Sequence, residues 1–207
     1  MIAVVDYGVG NLYSLTCSLK HIGADSVVTR DPDTFKSADK VILPGVGAFG
    51  DAADKLRALK LDTLLQELAA QGKPLLGVCL GMQLLFDKSF EYGEHQGLGL
   101  IHGHVQDMSP DTSDLKVPHM GWNSLDFWKP DDPLLRDIHP GDFVYFVHSF
   151  YAADCDSALV ATADYGVTIP AVVRNRNVCG TQFHPEKSGE TGLNILAAFA
   201  KGVTASC

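Results

Sequence analysis

The chain has 207 residues, 46% of them hydrophobic, and a formal net charge of -9 at pH 7. That is enough apolar material for one sizeable core; the acidic balance without a basic cluster excludes a phosphate-backbone partner, and no apolar run reaches the ~18 residues of a membrane span. The expectation is a single domain over residues 1–207, with neither nucleic acid nor membrane among its partners.

In chain order, residues 2–6 read as a strand, 11–22 as a helix, 26–29 and 40–44 as strands, 50–71 as a long helical stretch and 74–78 as a short buried strand. This alternation implies a parallel sheet with crossover helices. The second half changes character. Strand-like runs follow at 98–107, 121–128, 142–149, 158–164, 169–175 and 178–183, and the helical pattern returns only at 189–201. The stretches 109–118 and 129–141, the latter holding Pro130, Pro133 and Pro140, are connectors within the domain. The expected fold class is therefore α/β, a central mixed, largely parallel sheet flanked by helices, with antiparallel strands added in the second half. Met1 to Asp6 carries no basic leader and reads as a first strand, so the expected location is cytoplasmic. The five cysteines, Cys17, Cys79, Cys155, Cys179 and Cys207, lack the close pairing of a zinc site or disulfide framework, which leaves reduced thiols as the expectation. Cys207 is the last residue and so not a prenylation cysteine, and 202–207 matches no motif.

The most informative segment is Gly77-Val78-Cys79-Leu80-Gly81. A thiol flanked by glycines at plus and minus two, after an apolar strand, suits a sharp strand-to-helix turn that presents a nucleophile above the sheet. Met82, Leu84, Leu85 and Phe86 then read as a following helix, whose N-terminus would favour thiolate at Cys79. A free cysteine by itself is usually a small buried hydrophobe, so the assignment needs a second element. His184-Pro185-Glu186 at the end of the 178–183 strand supplies a base and a carboxylate that can hold its imidazole across the fixed proline turn. The plainer alternative is a loop ion pair ahead of the last helix, with Ser188 as N-cap. Strand-terminal sites of a parallel sheet converge on one edge, which favours the catalytic reading.

The glycine-rich turn Pro44-Gly45-Val46-Gly47 after the third strand can serve as a tight turn or, with the N–H of Leu80, as an oxyanion hole. Gly8-Val9-Gly10 lacks the third glycine and the distal acid of a dinucleotide site, since position 13 is Tyr13 and the second strand ends Val28-Thr29-Arg30. No cofactor is expected. His102, His104 and Asp107 alternate along a strand as solvent-facing residues do, and no metal is expected either.

With these residues in hand, the chain resembles the class I (triad) glutamine amidotransferases, whose Cys-His-Glu site matches Cys79, His184 and Glu186. The strings Pro44 to Gly47, Val117-Pro118-His119-Met120-Gly121-Trp122-Asn123, Tyr145-Phe146-Val147-His148-Ser149 and Gly180 to Ser188 are similar to those of one branch, the glutaminase subunits of imidazole glycerol phosphate synthase. The resemblance implies glutamine hydrolysis through a γ-glutamyl thioester, and delivery of ammonia to a (βα)8-barrel cyclase subunit in a heterodimer that makes imidazole glycerol phosphate in histidine biosynthesis. It further implies Gly45 and Val46 as the oxyanion strand, and Gln83 with His148, Ser149 and Phe150 as substrate contacts. Phe150 stands where the family more often has tyrosine. Asn11, Tyr145 and Lys187 become candidates for the partner interface. The rival readings are an amidotransferase feeding another synthase, a catalytically silent binding subunit, and a cysteine peptidase.

Overall fold

The computed structural model describes residues 1–112 and 115–202, and the tail beyond, including Cys207, lies outside the described residues. The first half runs β1 (Ile2–Val5), α1 (Leu12–His21), β2 (Ser26–Thr29), α2 (Pro32–Ser37), β3 (Lys40–Gly45), α3 (Phe49–Ala58), α4 (Leu61–Ala70) and β4 (Leu75–Cys79). It continues with α5 (Leu80–Gln83), β5 (Phe86–Ser89), β6 (His95–Gln96), β7 (Ile101–Asp107), β8 (His119–Ser124) and β9 (Asp126–Phe127). The last elements are β10 (Phe143–His148), β11 (Phe150–Ala153), β12 (Leu159–Asp164), β13 (Thr168–Asn175), β14 (Val178–Thr181) and α6 (Gly189–Lys201).

The main sheet has eight strands in the order β2-β1-β3-β4-β14-β13-β12-β9. Its first five are parallel, and β13, β12 and β9 extend it antiparallel. This is the expected mixed sheet. The central strands are apolar on both faces because helices cover both, as their unbroken runs Ile2-Ala3-Val4-Val5 and Leu75-Leu76-Gly77-Val78 require. Alternate residues go to opposite sides. Ala3, Val5, Val41 and Leu43 pack with Phe49, Leu56, Leu61 and Leu65 of α3 and α4. Ile2, Val4, Ile42 and Leu76 pack with Leu15 and Leu19 of α1 and Ile195, Leu196 and Phe199 of α6. Each fully buried leucine contributes roughly 1.5–3 kcal/mol.

Beside the main sheet lie the hairpin β8–β10 and a four-stranded sheet, β11-β7-β5-β6. The sequence-based pattern missed several of these pieces. The expected long helix 50–71 is two helices, broken where Lys60 adopts a left-handed φ of 57°. The expected helix after Cys79 stops after one turn. The carbonyls of Leu84 and Leu85 accept bonds from the N–H groups of Leu98, Leu100 and Ile101 instead of continuing a helical ladder, and Phe86 starts β5. A single turn offers Cys79 little of the helix dipole that a longer helix would supply. The expected strand 142–149 is β10, whereas the expected run 121–128 is two strands, β8 and β9, which join different sheets. Helix α2 was passed over although Asp31 caps it by accepting from Thr34 N–H at 3.0 Å and Pro32 fills its first position.

Candidate active site

Three neighbouring parallel strands, β3, β4 and β14, end at the same edge of the sheet, and each brings one part of the site. Gly45 pairs in register with Cys79, and Val78 with Thr181, after which the chain runs on to Gln182 and His184.

Cys79 sits at φ 55°, ψ -113°, a conformation that β-carbon-bearing residues adopt only under constraint. The constraint is the contact of the flanking glycines. A Cβ on Gly81 would lie 1.8 Å from the Leu43 carbonyl oxygen, and one on Gly77 would lie 2.6 Å from the Gly81 oxygen. The glycines therefore allow the one-turn α5 to press onto β3 and β4, and that pressing forms the elbow.

His184 follows β14, and a short 3-10 turn over Pro185–Lys187 folds Glu186 back, so that Glu186 Oε1 lies 2.8 Å from His184 Nδ1. Both side chains are buried. Burial works against a charge on the ring, but the hydrogen bonds to the Cys79 sulfur and to Glu186 outweigh it and push His184 up to about 10. The ring is thus held as an imidazolium between sulfur and carboxylate. Its backbone is stitched in place by β10: Tyr145 accepts from His184 N–H at 3.0 Å, and Tyr145 N–H donates to Ser188 Oγ at 2.9 Å. The Ser188 hydroxyl in turn donates to the His184 carbonyl at 2.6 Å. Ser188 does stand at the N-cap of α6, yet its side chain makes no capping bond there.

A cleft of about 380 Å³ opens over Cys79 and His184, lined also by Val46, Gly47, Leu80, Gln83 and the Val147–Phe150 segment. Lys187 reaches its rim. The amide nitrogen of Gln83 donates to the Phe150 carbonyl at 2.9 Å and to Gln182 Oε1 at 3.0 Å, which leaves the Gln83 oxygen as the group with capacity for a ligand. The Phe150 carbonyl also accepts from His148 Nδ1 at 2.9 Å, and the Ser149 carbonyl from Met108 N–H at 3.1 Å. The carbonyls of this expected contact segment are thus engaged within the protein. Gly45 is buried behind the cleft wall, and Val46 is exposed in it.

Of the expected interface residues, Tyr145 stacks edge-on to Trp122 at 6.0 Å, and Asn11 caps α1 by accepting from Ser14 N–H. On β8 and β10 the register sets Trp122 opposite Tyr145 and Met120 opposite Val147. Met120 is 60% exposed and Trp122 56%, an apolar face that runs on into the cleft through Val147.

Sequence reasoning missed three residues, one buried against Cys79 and two on the cleft wall. Gln182 places its amide nitrogen 3.8 Å from the Cys79 sulfur. Glu91 is a buried acid on the cleft wall, accepting from Phe49 N–H at 2.7 Å, and burial raises it above the usual carboxylate range. Tyr92 stands beside it at φ 55°, its ring 6.0 Å from that of Phe150. Gln182 was legible as a polar residue in an otherwise apolar strand end; Glu91 and Tyr92 lie in a loop without any periodic signal.

Fold and site together define an α/β protein with a cysteine, histidine and carboxylate gathered at a strand-end elbow. The profile of the family "Glutamine amidotransferase class-I" matches residues 3–203. The imidazole glycerol phosphate synthase subunit HisH of Bacillus velezensis is 51% identical over 205 residues, covering 97% of this chain and 96% of that protein. The subunit of the same name from Listeria monocytogenes is 48% identical over 207 residues, covering 100% and 98%. Among solved structures, PurLQS from Thermotoga maritima shares the fold with a TM-score of 0.74 at 23% identity, covering 97% of each chain. The chain belongs to the class-I glutamine amidotransferase family, in the branch of the imidazole glycerol phosphate synthase subunits HisH.

Proposed function

We propose that this chain, acting as one domain over residues 1–207, hydrolyses glutamine to glutamate and ammonia and passes the ammonia to a cyclase subunit in histidine biosynthesis. The observation that carries this reading is the full-length similarity to HisH subunits, joined to a Cys79, His184 and Glu186 cluster at the floor of the cleft.

In the mechanism, the Cys79 sulfur attacks the side-chain amide carbon of glutamine while its proton resides on His184. The N–H groups of Val46 and Leu80, with Gly45 setting the strand between them, receive the negative charge on the amide oxygen. His184 returns the proton to the leaving nitrogen, ammonia departs, and a γ-glutamyl thioester remains. Water, deprotonated by the now neutral His184, then attacks the thioester and releases glutamate. Glu186 keeps the ring in one tautomer throughout. The Gln83 oxygen and Glu91 offer acceptors to the substrate ammonium group, and Phe150 and Tyr92 close over its chain.

Ammonia freed into neutral water becomes ammonium, which is no nucleophile, so a docked acceptor is required. The partner is a (βα)8-barrel cyclase in a heterodimer, seated on the apolar face of β8 and β10, with Tyr145, Lys187 and Asn11 around the site edge. Among the described residues no helix is long and apolar enough to cross a membrane. Free thiols at Cys17, Cys79, Cys155 and Cys179 suit a reducing compartment, the cytoplasm. The test is Cys79→Ala: glutamate release from glutamine should vanish, whereas normal release would overturn the scheme.

A further inference from the structure

A string of side chains joins β8 to the cleft wall, and the catalytic cluster does not use it. At one end the Phe150 carbonyl accepts from His148 Nδ1 at 2.9 Å; a carbonyl only accepts, so that nitrogen carries the proton. His148 Nε2 lies 3.0 Å from His119 Nδ1, and in a neutral ring Nε2 is then an acceptor, which makes His119 Nδ1 the donor. His119 Nε2 is left to accept from Asn123 Nδ2 at 3.3 Å. The Asn123 amide has its orientation fixed from both sides. Its nitrogen donates to the Asp164 carbonyl at 2.8 Å, and its oxygen accepts from Ser124 N–H at 2.8 Å. Every donor in the string points toward the cleft, from Asn123 through His119 and His148 to Phe150.

The rings are held rigidly. His119 stacks between Phe146 at 4.6 Å and Tyr165 at 4.0 Å, and both histidines are buried. Burial also pushes His119 down to about 4 and His148 down to about 3, so both are neutral at pH 7, as the one-way donor order requires. The receiving carbonyl is the one that also anchors the Gln83 amide.

We propose that His119 and His148 are positioning residues, a directional two-histidine bridge that fixes the Phe150 carbonyl and the Gln83 side chain as the substrate-side wall of the cleft and ties that wall to β8. The bridge touches neither the sulfur nor His184 by a hydrogen bond, so it acts on how substrate is held. The same strand exposes Met120 and Trp122 on its outer face, so whatever settles there bears on the strand that carries the bridge. The proposal rests on the reading that this cleft hydrolyses glutamine.

The experiment measures glutamate release by the full chain assembled with its cyclase subunit, comparing wild type, His148→Leu and His148→Asn. Leucine and asparagine branch alike at Cγ, but only asparagine keeps an N–H for the Phe150 carbonyl. The expected result is a KM for glutamine raised about tenfold in His148→Leu with kcat within about twofold, and a KM restored to within about threefold in His148→Asn. Equal KM values for wild type and His148→Leu, or a loss in kcat that asparagine does not rescue, overturns the proposal. Absence of glutamate release by wild type would instead sink the functional reading beneath it. Nitrogen NMR of the wild-type histidine rings needs no variant to fold: neutral Nδ1-protonated rings at both His119 and His148 are expected, and an Nε2-protonated ring at either contradicts the bridge.

Discussion

The carbonyl oxygen of Leu43 lies where only the hydrogen of Gly81 leaves room, with a Cβ at that position coming within 1.8 Å of it. The strand beside Cys79 thus dictates a residue two positions after it. Gly81→Ala must push α5 away from β3 and open the elbow. The expected outcome is a destabilisation of about 1–3 kcal/mol, read as a melting temperature lowered by roughly 2–12 °C, together with loss of glutamate release. A variant with wild-type melting and turnover would contradict the close packing.

Glu186→Gln keeps the shape of the turn and removes the charge beside the imidazolium. His184, held up to about 10 in the native protein, should then lose its proton at a lower pH, which ring NMR reads directly. Turnover at pH 7 is expected to fall about 10²-fold or more, and the melting temperature at pH 7 should fall too, because part of the stability tied to the raised His184 value is lost. An unmoved His184 titration would mean that Glu186 is a bystander.

The buried histidines also set the pH limits of stability. In the unfolded chain histidine binds a proton below about pH 6.5, whereas folded His119 and His148 resist until about 4 and about 3. The unfolded state therefore holds more protons through that interval, and stability falls as pH falls from 6.5 toward 4. His184 acts on the other side: its raised value contributes stability that is complete below 6.5 and lost as pH rises toward 10. Urea unfolding across pH 4.5–9 checks both limbs. His119→Asn should flatten the acid limb by about one proton, or about 1.4 kcal/mol per pH unit, and an unaltered slope would contradict burial of a neutral ring.

Much of this was legible in the sequence, for reasons that differ from element to element. The strand ends at Gly45, Cys79 and His184 could be found because buried parallel strands are uninterrupted apolar runs and their order forces convergence at one edge. The His184–Glu186 contact could be read from a proline-fixed turn. The helix after Cys79 was overextended because Met82, Leu84, Leu85 and Phe86 are equally good for a helix or a strand, and only the distant 98–101 segment decides between them. Glu91 and the two-histidine bridge were hidden for a related reason: His119 and His148 lie on strands that meet only after β8 and β10 pair.

The exposed face of β8 and β10 gives a prediction on assembly. Trp122→Ala removes a large apolar ring that is 56% exposed and belongs to neither buried apolar cluster, so the isolated chain should melt close to wild type. Its dissociation constant from the cyclase subunit should rise at least tenfold, as expected of an aromatic anchor. Calorimetric titration checks this, and an unchanged affinity would move the docking site elsewhere.

The central claim is that Cys79 and its neighbours release ammonia from glutamine for a bound cyclase. The most direct measurement is glutamate release from glutamine as the chain is titrated with the (βα)8-barrel cyclase and its nucleotide ligand. The account predicts release that rises with the cyclase, saturates at one-to-one and disappears in Cys79→Ala. Release that is absent at every ratio, or undiminished in Cys79→Ala, would contradict it.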